Sequence, residues 1–267
     1  MKIALIGFGE AGQMFAEGLR ARANVYAYDI KITDVMQKVA TTLGVTLSSS
    51  VETVMADAKL ILSLVTADQA AIAARCAMPF ISADQLYLEM NSVAPKTKQL
   101  NAKLIPSLVD VAIMAPVHPK RMSVPLLVAH PNSDKITGFL NELGFNAKSV
   151  GADVGHASAI KMCRSIMIKG MEALTIECLS TARYFGVESD VLASLHSSFP
   201  EMGWDRDRAD YWFGRVALHG QRRAAEMREV AKTVADAGVL SEMALEVSKT
   251  QAIYAGNISY LNIDRIK

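Results

Sequence analysis

Apolar and polar positions follow two rhythms along the chain, and the change between them divides it. Up to about residue 150, short apolar runs at 2–6, 24–28, 60–65 and 85–90 read as strands, and amphipathic stretches at 12–21 and 34–43 read as helices. Runs at 108–114 and 125–129 add two more strands. Strand, helix and strand in repetition predict a parallel sheet with right-handed crossovers, because short connections leave few other arrangements. After about residue 151 the spacing becomes helical. The stretch 157–184 contains no Pro and one Gly, and reads as a single helix of about 40 Å at 1.5 Å per residue. Stretches 189–197 and 216–237 are also helical in period and rich in Arg, Glu and Ala.

The first strand runs into Gly7-Phe8-Gly9-Glu10-Ala11-Gly12, a GxGxxG at the opening of the first helix. In that setting the first glycine permits a tight turn, the second lets backbone approach a pyrophosphate, and the third lets helix and strand pack closely. The helix N-terminus adds N–H donors and a positive dipole end. Glu10 fits beside a pyrophosphate only if its side chain points to solvent. Asp29 ends the second strand, 22 residues after Gly7. A carboxylate there accepts from both hydroxyls of an adenosine ribose and repels a 2′-phosphate, so NAD is expected over NADP, softened by Lys31 two residues on. Val65, at the end of a strand where an open α/β sheet binds its ligand, is expected to touch the cofactor. The organisation predicted is a Rossmann-type doubly wound α/β domain over 1–152, followed by a smaller all-helical domain over 153–267 for substrate and dimerisation.

Composition narrows the partners. The 267 residues carry 28 Lys and Arg against 27 Asp and Glu, a formal net charge of +1, and 6% aromatics. With no long basic run, a nucleic-acid partner is not expected. No apolar run approaches the ~20 residues that span a bilayer, so a membrane is not expected either. Neither is a leader, since the short apolar start runs directly into the glycines. Cys76, Cys163 and Cys178 form no CxxC pair, and the five histidines show no metal spacing. No metal is expected, and a reducing cytoplasm fits. A mean hydropathy of +0.21 with 14 Met is apolar for a soluble monomer and points to a homodimer through the helical domain.

Three further segments carry a family resemblance. Gly151-Ala-Asp-Val-Gly155-His-Ala-Ser-Ala-Ile-Lys161, Glu89-Met-Asn91-Ser92-Val-Ala-Pro95 and Asp110-Val-Ala-Ile-Met114-Ala-Pro116, with the glycine motif, resemble the β-hydroxyacid dehydrogenases. That superfamily contains 3-hydroxyisobutyrate and 6-phosphogluconate dehydrogenases. The tail from Val216 to Met227 resembles a C-terminal helical domain of unknown function from a less characterised branch. The resemblance implies NAD(P)-dependent oxidation of a β-hydroxy acid, or reduction of its keto partner, with Lys161 as general acid/base. It also implies a cofactor contact at Asn91 and a substrate contact at Ser92. Independently of the resemblance, hydride loss from a carbinol carbon requires the hydroxyl proton to leave, which a lysine amine can accept.

The chain departs from that family at two places. Arg164 and Ser165, one turn beyond Lys161, stand where asparagines are usual, so either must serve the substrate in another way. Arg164 reads equally as a bidentate grip on an acidic substrate and as an interface salt bridge. Met114-Ala115-Pro116 replace Ser-Gly-Gly in the substrate loop and remove a hydroxyl and an N–H. His156, in the glycine-rich lead, is a further candidate for the site. Two other readings stay open, imine reduction on the same fold and a dinucleotide-binding sensor without turnover. In the helical domain, Cys163 is expected to be a buried inert thiol and Trp204, Tyr211 and Trp212 to pack its core. His219, Arg222 and Arg223 read as a basic turn, either solvated or reaching an acidic substrate.

Overall fold

The computed structural model describes residues 1–256. Eight strands among these residues form one sheet. They are β1 (Lys2–Ile6), β2 (Asn24–Tyr28), β3 (Thr46–Ser48), β4 (Leu60–Ser63), β5 (Leu86–Glu89), β6 (Leu108–Ile113), β7 (Pro125–Ala129) and β8 (Asn146–Gly151). Their order is β3-β2-β1-β4-β5-β6-β7-β8, and every pairing is parallel except β6 with β7. The chain reverses direction of travel across the sheet between β1 and β4, so the crevice beyond the C-terminal ends of these two strands is the switch point where an open sheet takes its ligand.

Helices α1 (Glu10–Leu19), α2 (Asp34–Leu43), α3 (Val51–Met55), α4 (Ala70–Ala77), α5 (Pro95–Leu104), α6 (Val117–Lys120) and α7 (Ser133–Glu142) connect these strands. Both faces of the sheet are covered. Ile3 and Leu5 of β1 join Phe15 and Leu19 of α1 in one core, while Ala4 and Ile6 join Val54, Ala74 and Ala77 of α3 and α4 in the other. Alternate side chains of one strand thus enter opposite cores, which is why the strand reads as an unbroken apolar run.

Helix α8 (His156–Phe185) follows β8, then α9 (Glu188–Ser198), α10 (Arg206–Asp236) and α11 (Glu242–Ile253). Compact units run from Met1 to Met162 and from Cys163 on, so the first two turns of α8 belong to the first unit. In the second unit Ile176 and Leu179 of α8 pack with Ala209, Phe213 and Val216 of α10. α10 starts ten residues earlier than its period suggests, because Asp205 caps it by accepting from the Arg208 N–H at 2.7 Å.

Three expectations for the helical region are corrected. Cys163 is exposed, since it lies on the face of α8 turned from that core. Tyr211 is also exposed and holds the Arg215 guanidinium over its ring, while Trp212 is buried as expected. Arg223 is buried rather than solvated, because Glu172 on α8 pairs with it and also takes Arg215 at 3.1 Å. An arginine held in this way cannot serve a ligand.

The start of α8 is fixed from inside the sheet. Asp110, fully buried in β6, accepts the backbone N–H groups of Gly155 at 2.9 Å and Ser158 at 3.1 Å through Oδ2. Its Oδ1 faces Lys98 Nζ of α5 at 3.0 Å. Lys98 is equally buried and also donates to the carbonyls of Glu89 and Val111, so two backbone acceptors hold the cation beside the carboxylate. Removing one partner leaves a charge dry and unmatched. Asp110→Ala is therefore expected to cost about 3–5 kcal/mol, read as a lower urea midpoint at unchanged m.

Candidate functional site

The site begins at the glycine turn. Gly7 has φ +102°, and a Cβ there would stand 2.4 Å from Leu64 O, so both backbone conformation and space require glycine. A Cβ on Gly12 would stand 2.3 Å from Gly7 O, whereas one on Gly9 would meet nothing within 4 Å. The first and third glycines are thus needed for the turn and its packing, and the second faces open space at the N-terminus of α1. This geometry fits a pyrophosphate. Glu10 is exposed, and Ala11 is half-buried in the first turn. Phe8 is buried, and its N–H donates to Asp29 Oδ2 at 2.8 Å. Asp29 Oδ1 accepts from the Lys31 N–H at 2.9 Å. Both bonds come from backbone, so the carboxylate is oriented while each oxygen keeps a second acceptor position.

Next to this turn, Asn91 ties the ends of two strands. Its Oδ1 accepts the Val65 N–H at 2.7 Å beyond β4, and its Nδ2 donates to Ser63 Oγ at 2.9 Å and to Glu89 Oε1 at 2.6 Å. Val65 and Asn91 are therefore brought together at the switch point. Glu89 is fully buried and also accepts from the Asn91 N–H at 3.0 Å and from Asn101 Nδ2 at 3.3 Å. Burial outweighs these donors and the nearby Lys98 charge, and holds its carboxyl above the ordinary value of 4.5.

The next residue, Ser92, meets the helix. Lys161 Nζ donates to Ser92 Oγ at 2.5 Å. One turn earlier on α8, Ser158 Oγ donates to the Val93 carbonyl, and Gln99 Nε2 donates to Val154 O at 3.2 Å. Ala157 packs against Ala112 and Ala129 of β6 and β7, small residues that let the helix lie close. The segments 92–99 and 154–161 are thus laced together, with the lysine and the serine hydroxyl in contact.

The other candidates lie differently. Met114 is half-buried and its N–H is spent on Pro125 O at 2.9 Å. His156 is exposed. Arg164 is exposed in the second unit, and Ser165 is buried there, accepting from Lys169 Nζ at 3.2 Å while Lys169 pairs with Glu226 at 2.9 Å. Lys98 was not foreseen, since a lysine in an amphipathic helix ordinarily reads as solvated. The signal for it is Asp110, one charge in an otherwise apolar strand, which needs a buried partner.

Residues 2–117 match the NAD binding domain of 6-phosphogluconate dehydrogenase, and residues 182–253 match a domain of unknown function (DUF1932). A conserved hypothetical protein from Sinorhizobium meliloti 1021 is 40% identical over 94% of this chain and 87% of its own, with a TM-score of 0.75. A conserved protein of unknown function, described as structurally similar to 3-hydroxyacid dehydrogenases, is 30% identical over 95% of this chain and 98% of its own, with a TM-score of 0.73. The 3-hydroxyisobutyrate dehydrogenase of Mycobacterium tuberculosis, solved with L-serine, shares the fold at 14% identity, with a TM-score of 0.77 over 96% of this chain and 94% of its own. The chain belongs to the family that joins this dinucleotide-binding domain to the DUF1932 domain.

The buried carboxyl gives a pH signature. A raised folded-state pKa means that above 4.5 the folded chain keeps a proton that the unfolded chain has lost. The stability contributed by Glu89 is then complete below that value and declines as pH rises towards the folded pKa. The stability of the parent relative to Glu89→Gln is expected to fall as pH rises above 4.5 in urea titrations. A difference that does not vary with pH contradicts the shift.

Proposed function

We propose that this member of the family is an NAD(P)-dependent oxidoreductase that acts on a small β-hydroxy acid or its keto form, with Lys161 as general acid/base. The observation that carries the reading is the 2.5 Å contact between Lys161 Nζ and Ser92 Oγ, beside a glycine turn shaped for a dinucleotide. When bound, the nicotinamide supplies the hydride acceptor or donor. Gly7, Phe8, Gly9, Glu10, Ala11 and Gly12 would form the turn around the pyrophosphate, with the Gly7 and Phe8 N–H groups holding that turn to Tyr28 and Asp29, while Asp29 would take the adenosine ribose and Val65 and Asn91 the nicotinamide side.

In the oxidation, Lys161 Nζ takes the substrate hydroxyl proton as a neutral amine. In the reduction, the ammonium returns it to the carbonyl oxygen. Ser92 Oγ orients that amine and presents a hydroxyl to the substrate. The loop at Met114 contributes little to a carboxylate in this reading, because its N–H is already committed to the sheet. The carboxylate of an acidic substrate is then left to the Lys161 and Ser92 end of the cleft. Three exposed thiols suit a reducing cytoplasm, and the protein acts as a homodimer through its helical unit.

The chemistry is tested with purified protein, NADH fluorescence and a panel of hydroxy acids. Lys161→Ala is expected to bind the nucleotide as the parent does and to lose turnover by at least about 10²-fold. Nucleotide binding with no turnover in either protein on any member of the panel would favour the sensor reading. Turnover unchanged in the variant sinks the role of the lysine.

Asp29 carries the cofactor preference. Removing its carboxylate should weaken NAD binding and relax the discrimination against NADP. Fluorescence titration of Asp29→Ala with both nucleotides checks this, and a preference as strong as the parent's contradicts the ribose contact.

A further inference from the structure

The segment between β6 and β7 carries donors that the proposed chemistry does not use. Strands β1, β4, β5 and β6 run parallel, so this segment leaves the sheet at the same edge as the glycine turn and Ser92. Met114, at its start, packs with Ala112 and with Ala157, one turn before Lys161 on α8. Further on, α6 and the turn Arg121–Ser123 lie along α1, where Arg121 pairs with Glu17 at 3.0 Å. A Cβ on Gly18 would stand 2.2 Å from Met122 Cγ, so the contact of Met122 with α1 is closed. The segment is therefore pinned at both ends.

Between and at these anchors stand His118, Lys120 and Arg121, all exposed. The side chains of His118 and Lys120 have no hydrogen-bond or ion-pair partner among the described residues, and Glu17 meets one nitrogen of the Arg121 guanidinium, which keeps its other donors. Arg121 also has φ +50° and ψ −128°, the geometry of the first central residue of a type II′ turn. That conformation favours glycine, and another residue holds it at a cost in free energy of the kind that gathers at ligand sites.

The donors indicate what the segment takes. Met114-Ala115-Pro116 replace Ser-Gly-Gly, so neutral donors are lost just before charged ones begin. A guanidinium alone satisfies a planar carboxylate through two parallel bonds. An ammonium and an imidazole N–H added beside it suit an oxyanion with more acceptor oxygens, which is a phosphate.

We propose that His118, Lys120 and the free donors of Arg121 form a phosphate-binding site at the C-terminal edge of the sheet. Two ligands bring that group there, the dinucleotide through its pyrophosphate and an acidic substrate through a phosphate ester. The second source rests on the function proposed above, whereas phosphate binding itself does not depend on Lys161 acting as acid or base.

Two titrations of the full chain test the site. The dissociation constant of NADH is read from its fluorescence, and that of inorganic phosphate by calorimetry at saturating NADH, when the glycine turn is filled. In the double variant His118→Ala with Lys120→Met, at least one of the two constants should rise by about tenfold or more. A rise for NADH assigns the site to the pyrophosphate, and a rise for phosphate alone assigns it to the substrate. Arg121→Gly should act in the same direction with a urea midpoint close to the parent's or above it, because the strain leaves with the guanidinium and the exposed pair with Glu17 contributes little. Lys135→Met removes an exposed lysine of α7 and should change neither constant. If NADH does not bind the parent, the proposed function fails, and the same comparison is made with phosphate on the free chain. Constants unchanged in the double variant and in Arg121→Gly, or an equal rise in Lys135→Met, overturn the phosphate site.

Discussion

The carboxylate of Asp110 is the point on which the candidate site depends. It is a full charge in the dry interior of β6, tolerable only because a second charge and two helix N–H groups converge on it. The two oxygens divide the work. One meets Lys98, and so fixes α5 against the sheet. The other caps α8, and so fixes where that helix starts and which residues face the loop after β5. With the phase of α8 set, Ser158 and Lys161 lie three residues apart on one face and reach Val93 and Ser92 in turn. The lysine is exact in position because a buried ion pair two elements away is intolerant of displacement.

The cofactor side is built from backbone rather than from charge. Asn91 accepts the Val65 N–H and anchors its own amide on Ser63 and Glu89, so the ends of β4 and β5 move together. Asp29 is held by the N–H groups of Phe8 and Lys31. In both cases a polar side chain is oriented by main-chain groups that have no rotamers to lose, which keeps the geometry of the crevice in place before any ligand arrives.

The central strands were legible in the sequence because burial on both faces makes them near-continuous apolar runs, and the long helix because its apolar residues recur at helical spacing with no Pro and one Gly over 157–184. Strands β2 and β7 have the bounds expected, and α8 exceeds its expected span by one residue at each end. The edges were not legible. β3 is three residues long, and β8 carries Asn146, Lys148 and Ser149, so neither shows an apolar run. The antiparallel β7 reads no differently from a parallel strand, since direction is set by connections and not by side chains. The glycine turn, Asp29 and Lys161 stood out through local spacing. Lys98, Glu172 and Arg223 did not, because their burial depends on partners far along the chain, and an isolated lysine or arginine on a helix reads as solvated.

The burial of those charges changes what the near-neutral composition means. Arg215 and Arg223 pair with Glu172, while Lys169 and the exposed Arg222 pair with Glu226, so the cations of the helical turn suggested by sequence are matched by acids of the same unit and Arg223 is taken inside it. Ser165 is drawn into the same network through Lys169, at a position where the family resemblance expects a substrate amide. Met114 is similarly committed through its N–H to the sheet. At both places where this chain departs from the β-hydroxyacid dehydrogenase pattern, a substituted residue, Ser165 in one and Met114 in the other, is therefore used to hold the fold, while Arg164 is left exposed. In the proposed reading the substrate is left with fewer protein donors than the family pattern offers, concentrated at Ser92 and Lys161. In that reading, selection rests on the position of one hydroxyl and one acidic group.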